Sequence, residues 1–342
     1  MQFLKRILAF LALLGLGAPI PAASGEETGL GFDAYLQLLA ARARAEGVSE
    51  PTIQSMTAGL TPNPRVVALD RNQPGQATNT GFPAMAPYIA RHVGAGIARN
   101  GRDLRASLGP LGSDIEARYG VPLPVMIAIF GHETNYGSYT GDFDLARSLA
   151  TLAWEGRRRE MFADEFVALL KIADQGVPRS RLAGSWAGAF GYPQFMPSVY
   201  LRLAADGDGD GDRDIWASRA DALASIANYF RDAGWRRGQP WGVAAFVPAG
   251  FDRAAIQGEL APPVCPRVHV RFSQWKTVRE WRALGVQPQG WLADDVLASL
   301  FEPDGPGTNA YLLTGNYRVI LEYNCSNYYA LSVGLLADEI GK

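Results

Sequence analysis

The stretch that most constrains this chain is Leu123–Gly137, LPVMIAIFGHETNYG. Val125, Met126, Ile127, Ala128, Ile129 and Phe130 follow one another without a polar face, which reads as a helix buried all round. Pro122 and Pro124 suit its first turn and Gly137 its stop. Glu133 then lies near the C-terminus of a buried helix, the only carboxylate in such a position within a motif. Burial and the negative end of the helix dipole both disfavour its charged form. A carboxylic acid kept protonated near neutral pH is what a general acid requires. The plainer alternative is a helix-end glutamate that reaches solvent or pairs with an arginine.

Composition excludes some classes. The chain has 342 residues with formal net charge -2, and 48% of its residues are hydrophobic. That suits a globular protein of one to three domains and lacks the basic excess of a nucleic-acid binder. Lys5 and Arg6 precede the apolar run 7–16, then Pro19, Pro21 and Ala22-Ala23-Ser24. This is the pattern of a secretory signal over residues 1–24, cleaved near residue 23, and the run is too short for a membrane span. With no Cys near that site to carry a lipid, a periplasmic, soluble, monomeric product is expected. Export permits a disulfide between Cys265 and Cys325; two free thiols fit the spacing equally well.

Helices are expected at 31–44, from Ser49-Glu50-Pro51 onward with Ser49 as its cap, at 86–100, 104–119, 145–154, 161–173 and 221–234, and finally at 327–340. Residues 63–82 read as a polar loop. Short β-prone runs at 243–247, 264–272, 310–313 and 317–323 predict a small antiparallel sheet.

Two stretches break the helical pattern. GSWAGAFGYPQFMPS at 184–198 combines Gly184, Gly188 and Gly191 with two prolines and aromatics. It suits either close backbone approach to a ligand or tight helix packing. DGDGDGDRDIW at 206–216 places Asp206, Asp208, Asp210, Asp212 and Asp214 at alternate positions, with Gly211 at the sixth. This matches the start of an EF-hand calcium loop. Ala217 stands where the bidentate Glu belongs, and Asp221 is the candidate to close a longer loop. An acidic, solvated turn is the alternative.

Together these motifs resemble the lytic murein transglycosylase B family, which cleaves peptidoglycan glycan strands. GHETNYG at 131–137 is similar to its Glu-Thr motif, and the 184–198 stretch resembles its long Gly-Ala-x-Gly-Tyr-x-Gln-Phe-Met-Pro-Ser signature. The acidic loop with IANYF at 226–230, and YNCSNYY at 323–329, resemble two more. Arg147 and Cys325 depart from the family pattern. The resemblance implies a mainly α (α+β) fold. Its parts would be a helical domain at 31–120, a lysozyme-like core at 121–239 holding the calcium-type loop 206–221, a β domain at 240–322, and a segment at 323–342 returning to the core cleft. It implies Glu133 as catalytic acid and base, and Ser185, Gln194, Tyr229, Tyr323, Asn324 and Tyr329 as sugar-binding residues. Asp206, Asp208, Asp210, Asp212 and Asp221 would hold a structural calcium, with no cofactor for the chemistry.

Most glycosidases use two carboxylates. With one obvious carboxylate, the implied reaction is non-hydrolytic and ends in a 1,6-anhydromuramyl product. The rivals are a hydrolytic muramidase that adds Asp142 or Asp144, and a non-catalytic glycan-binding protein.

Overall fold

The computed structural model describes residues 29–73, 84–258 and 264–342. The expected signal segment therefore lies outside the described residues. The helices, in chain order, are α1 (Phe32–Ala45), α2 (Glu50–Thr57), α3 (Pro64–Arg71), α4 (Ala86–His92), α5 (Ala95–Tyr119), α6 (Leu123–Thr134), α7 (Leu145–Glu155), α8 (Arg159–Asp174), α9 (Pro197–Leu203), α10 (Arg219–Asp232), α11 (Val278–Ala283), α12 (Gly315–Tyr323) and α13 (Asn327–Gly341). The strands are β1 (Phe143–Asp144), β2 (Ala183–Gly184), β3 (Gly242–Phe246), β4 (Lys276–Thr277), β5 (Gln287–Pro288), β6 (Leu297–Phe301) and β7 (Ala310–Leu313). The mainly helical, α+β class expected from the sequence is the one observed. Among the described residues no helix is long and apolar enough to cross a membrane.

The chain divides into two compact units. One takes the described residues up to 73 together with Glu133–Ile226. Its centre is the α7–α8 pair, on which α1, α2, α3 and α9 pack. Leu145, Leu149, Phe166, Leu169 and Leu170 are wholly buried there. Residues 61–63 are pinned to α7: Arg147 donates to the carbonyls of Thr61 (2.8 Å) and Pro62 (2.9 Å), and Thr151 Oγ1 accepts from Asn63 N–H at 3.0 Å.

The other unit takes residues 84–132 and the described residues from 227 to the end. Val125–Phe130 of α6 are all buried, as the apolar run required. α13 packs against α4, α5 and α12. Arg102 and Arg105 donate to the last carbonyls of α13, at Glu339 (2.8 Å) and Ile340 (3.1 Å), which satisfies groups a helix end leaves open. The antiparallel sheet runs β4-β6-β7-β3-β5. Val278 and Trp281 of α11 close its core with Ala298, Leu300 and Leu312.

Five local expectations are corrected. Residues 64–71 are helical, because Asn63 accepts from Arg65 N–H (3.1 Å) and Val66 N–H (3.4 Å) as a cap before Pro64. The run at 317–323 is the buried helix α12, started by the Thr314 side chain, and 266–271 is a 3-10 turn. The helix break expected near residues 101–103 falls at Val93-Gly94, with a second interruption at Gly109 before Pro110. Ser49 occupies the cap position of α2 but makes no cap bond; its hydroxyl bonds the Asp174 carboxylate instead.

Candidate active site

Glu133 is half-buried, one residue before the end of α6. The chain after it is unusual: Asn135 (φ 47°), Tyr136 (φ 59°) and Gly137 (φ 86°) lie in succession in the left-handed region. Non-glycine residues rarely go there, and such strain concentrates at functional sites. Thr134, almost fully buried, holds this turn. Its Oγ1 accepts from Gly137 N–H (3.1 Å) and donates to the carbonyl of Tyr192 (3.3 Å). The Tyr192 ring leaves no room for a side chain at 137, since a Cβ there would stand 2.8 Å from Cε1. Burial pushes the Tyr136 phenol up to about 12.

The glycine-rich stretch 184–198 is stitched to the same turn. β1 and β2 pair Phe143 with Gly184 and Asp144 with Ala183. Gln194, at φ 51°, donates through Nε2 to the carbonyls of Thr140 (3.0 Å) and Gly191 (2.9 Å). Both amide hydrogens of this expected sugar ligand thus shape the loop. Ser185 closes its own turn, its Oγ accepting from Ala189 N–H at 3.0 Å, and the hydroxyl hydrogen is left to donate.

Of the two carboxylates considered as a second catalytic group, Asp144 is committed elsewhere. It caps α7 by accepting from Arg147 N–H (3.1 Å) and pairs with Arg179 at 2.7 Å. Asp142 is exposed. Glu165 corrects the expectation that Glu133 is alone in being buried beside a motif. It is wholly buried on α8 and bonded to Ser198 of the 184–198 motif. Its signal was an acid among the apolar residues of 161–172; its partner, distant in sequence, gave none.

In the other unit, Tyr229, Tyr323, Asn324 and Tyr329 are all buried. The rings of Tyr229 and Tyr323 meet edge to face at 4.8 Å, and the Tyr229 hydroxyl donates to the Glu322 carbonyl at 2.8 Å. Tyr329 lies 5.3 Å from His132, whose ring stacks on His92 at 5.5 Å. Burial first, and His92 second, push the His132 imidazole down to about 3, so it is neutral. Asn324 Oδ1 and His132 Nε2 are buried and have no hydrogen-bond partner among the described residues. A buried acceptor of that kind is costly unless something fills it. Cys265 and Cys325 are joined, with Cα atoms 5.3 Å apart, which anchors the residue next to Asn324.

The acidic loop gathers Asp206, Asp208 and Asp210, whose ligand oxygens lie within 4.8 Å of one another. That all-oxygen set suits a hard cation. Asp206 also accepts from Gly209 N–H (2.6 Å) and Gly211 N–H (2.9 Å), which curls the loop around the group. Asp212 is exposed and stands outside this group. Asp221 is wholly buried and spans the loop's base, accepting from Gly207 N–H (2.8 Å) and Asp214 N–H (2.6 Å). Burial, then the charges of Asp208 and Asp206, raise its carboxyl above the ordinary range. Asp214 instead pairs with Arg181 at 2.6 Å. The loop returns to the motif where Ile215 O accepts from Tyr192 N–H at 2.8 Å, and Trp216 stacks on Phe190 at 5.3 Å.

A lysozyme-like helical frame, a glutamate ending a buried helix and a strained turn tied to a glycine-rich loop define a transglycosylase-type domain. The chain belongs to the transglycosylase SLT domain family, whose model matches residues 31–338. Membrane-bound lytic murein transglycosylase B of Escherichia coli is 34% identical over 225 residues, which is 65% of this chain and 58% of that protein. The matched stretch thus spans less than two thirds of that relative. SltB3 from Pseudomonas aeruginosa, solved in complex with NAG-anhNAM-pentapeptide, is 39% identical, with a TM-score of 0.81 over 92% of this chain and 80% of its own. The Escherichia coli lytic transglycosylase Slt35, solved in complex with calcium, is 27% identical, with a TM-score of 0.72 over 90% of this chain and 92% of its own.

Proposed function

We propose that this chain is a peptidoglycan lytic transglycosylase that cleaves the bond between N-acetylmuramic acid and N-acetylglucosamine without water, with Glu133 as acid and then base. The observation that carries this reading is the half-buried place of Glu133 at the end of α6, inside an intact motif, while Asp144 is spent on a helix cap and an ion pair. The complex of SltB3 with an anhydro-muramyl ligand supports the same product.

Glu133 protonates the glycosidic oxygen, and the bond to the muramyl C1 breaks. The substrate's 2-acetamido oxygen stabilises the positive charge at C1, in the manner of substrate-assisted glycosidases. The Glu133 carboxylate then takes the proton of the muramyl C6 hydroxyl, whose oxygen closes on C1. One carboxyl gives and recovers one proton, and no water enters. Ser185 or Asn324 would hold the acetamido group by hydrogen bonds, Gln194 orders its own glycine-rich loop, and Tyr229, Tyr323 and Tyr329 would present ring faces and hydroxyls to the sugars.

Calcium in the acidic loop is structural in this reading. Asp206, Asp208 and Asp210 would hold it, with Asp212 and Asp221 supporting the loop. The signal-type N-terminus sends the enzyme, a monomer, to the periplasm. Mass spectrometry of the products released from purified cell wall tests the proposal. Anhydro-muramyl ends are expected, and ends carrying added water would reject it.

A further inference from the structure

The turn after Glu133 is strained. Three successive residues occupy the left-handed region, two of them with a Cβ. A helix ending in that way frays unless its last turn is held. Two hydroxyls hold it: Ser138 Oγ donates to the carbonyl of Asn135 at 2.7 Å on the exposed side, and Thr134 works from the buried side. Thr134 Oγ1 takes the N–H of Gly137, the last of the three, and gives its own hydrogen to the carbonyl of Tyr192. The carbonyl of Thr134 is used as well, accepting from Tyr139 N–H at 3.2 Å. Tyr192 is fixed in turn by Ile215 at 2.8 Å, and its ring covers Gly137. Glu133 is the residue next to this hub.

We propose that Thr134 is a positioning residue for the reaction: its hydroxyl, bridging Gly137 and Tyr192, fixes the last turn of α6 and with it the carboxyl of Glu133. The inference rests on the reading of Glu133 as acid and base. A carboxyl that must serve two proton transfers at different oxygens tolerates little drift, and displacement by about 1 Å costs on the order of 10²-fold in rate. Thr134 touches neither substrate nor proton; it acts through the backbone on either side of it.

The test compares Thr134→Val, which keeps the shape and removes the hydroxyl, with Thr134→Ser, which keeps the hydroxyl. Both are assayed on purified glycan strands beside Glu133→Gln. Thr134→Val should lower kcat by about 10²-fold, with KM held within about twofold. Thr134→Ser should recover kcat to within a few-fold of the parent. A purely structural threonine would lower active enzyme in step with folded protein and leave kcat per folded molecule unchanged, which would overturn the proposal. So would a Ser variant as slow as the Val variant. If Thr134→Val does not fold, Gly137→Ala disturbs the same clamp from the Tyr192 side, and an unchanged kcat there overturns it equally. An inactive Glu133→Gln with a fully active Thr134→Val rejects the clamp alone. An active Glu133→Gln rejects the acid–base reading beneath it.

Discussion

The carboxyl of Glu165, wholly buried on α8, accepts both the backbone N–H (2.9 Å) and the hydroxyl (2.7 Å) of Ser198, the last residue of the glycine-rich motif. Ser198 lies in the first turn of α9, where unsatisfied N–H groups face outward. The pair therefore closes a helix start and locks the end of the motif onto the α7–α8 core in one contact.

That contact makes stability depend on pH. Burial pushes Glu165 up to about 7, against the pull of the two Ser198 bonds. An unfolded glutamate titrates near 4.5. Between these values the folded chain holds a proton that the unfolded chain has released. This contribution is therefore complete below about pH 4.5 and is lost as pH rises through about 7. His132, pushed down to about 3, and His269, down to about 4, act in the opposite sense: their contribution is lost as pH falls below 6.5. Glu165→Gln keeps the shape and can still bond Ser198. It should match the parent near pH 4.5 and exceed it at pH 8, by on the order of 1–3 kcal/mol, since one unit is about 1.4 kcal/mol. Denaturant titrations across this range are the check, and parallel curves would sink the assignment.

The acidic loop gives a prediction of a different kind. With Asp206, Asp208 and Asp210 oxygens within 4.8 Å of one another, a cation that binds only the folded chain would relieve their mutual repulsion. Calcium at about 100 times its dissociation constant should stabilise by about 2.7 kcal/mol. Asp208→Asn should weaken the response. Identical melting midpoints in chelator and in calcium would reject the site.

How far the sequence could be read follows from what each signal was made of. α6 was legible because its apolar run is framed by Pro122 and Pro124 at the start and Gly137 after the end, the signals of a helix start and stop. α12 was not: Tyr317, Val319, Ile320, Leu321 and Tyr323 are all buried, and a short apolar run looks the same as strand or helix. The deciding group was the Thr314 cap, as Asn63 was for α3 and the Thr277–Glu280 capping box for α11. At the site, Glu133 and the motifs were visible as residues. The bonds that give them geometry, from Thr134 to Tyr192, Gln194 to Thr140 and Glu165 to Ser198, join positions between 33 and 58 apart and leave no periodic trace.

The bridge between Cys265 and Cys325 spans 60 residues. Closing a loop of that length restricts the unfolded chain and contributes roughly 2–4 kcal/mol. The denatured, unreduced protein should show no free thiol, and a reductant should lower the melting temperature. Since Cys325 follows Asn324 directly, reduction should also raise KM for glycan strands if Asn324 binds substrate. Two titratable thiols before reduction would reject the bridge.

Asp144 separates the one-carboxylate reaction from the two-carboxylate hydrolase. Its side chain caps α7 and pairs with Arg179, an ion pair about one third exposed on both sides. Asparagine caps a helix about as well as aspartate, and a part-exposed pair is worth about 0–1 kcal/mol. Asp144→Asn should therefore lose at most about 1 kcal/mol of stability. Asp144→Ala also loses the cap, at a cost of about 1 kcal/mol more. Neither change touches the proton that Glu133 transfers, so kcat per folded molecule should stay within a few-fold of the parent, as it should for Asp142→Asn. Glu133→Gln keeps the shape and loses that proton. Loss of general acid–base catalysis costs typically about 10²–10⁴-fold, and here one group serves both transfers, so the loss should lie at or beyond the upper end. An Asp144→Asn variant as inactive as Glu133→Gln, with products carrying added water, would instead establish the hydrolase.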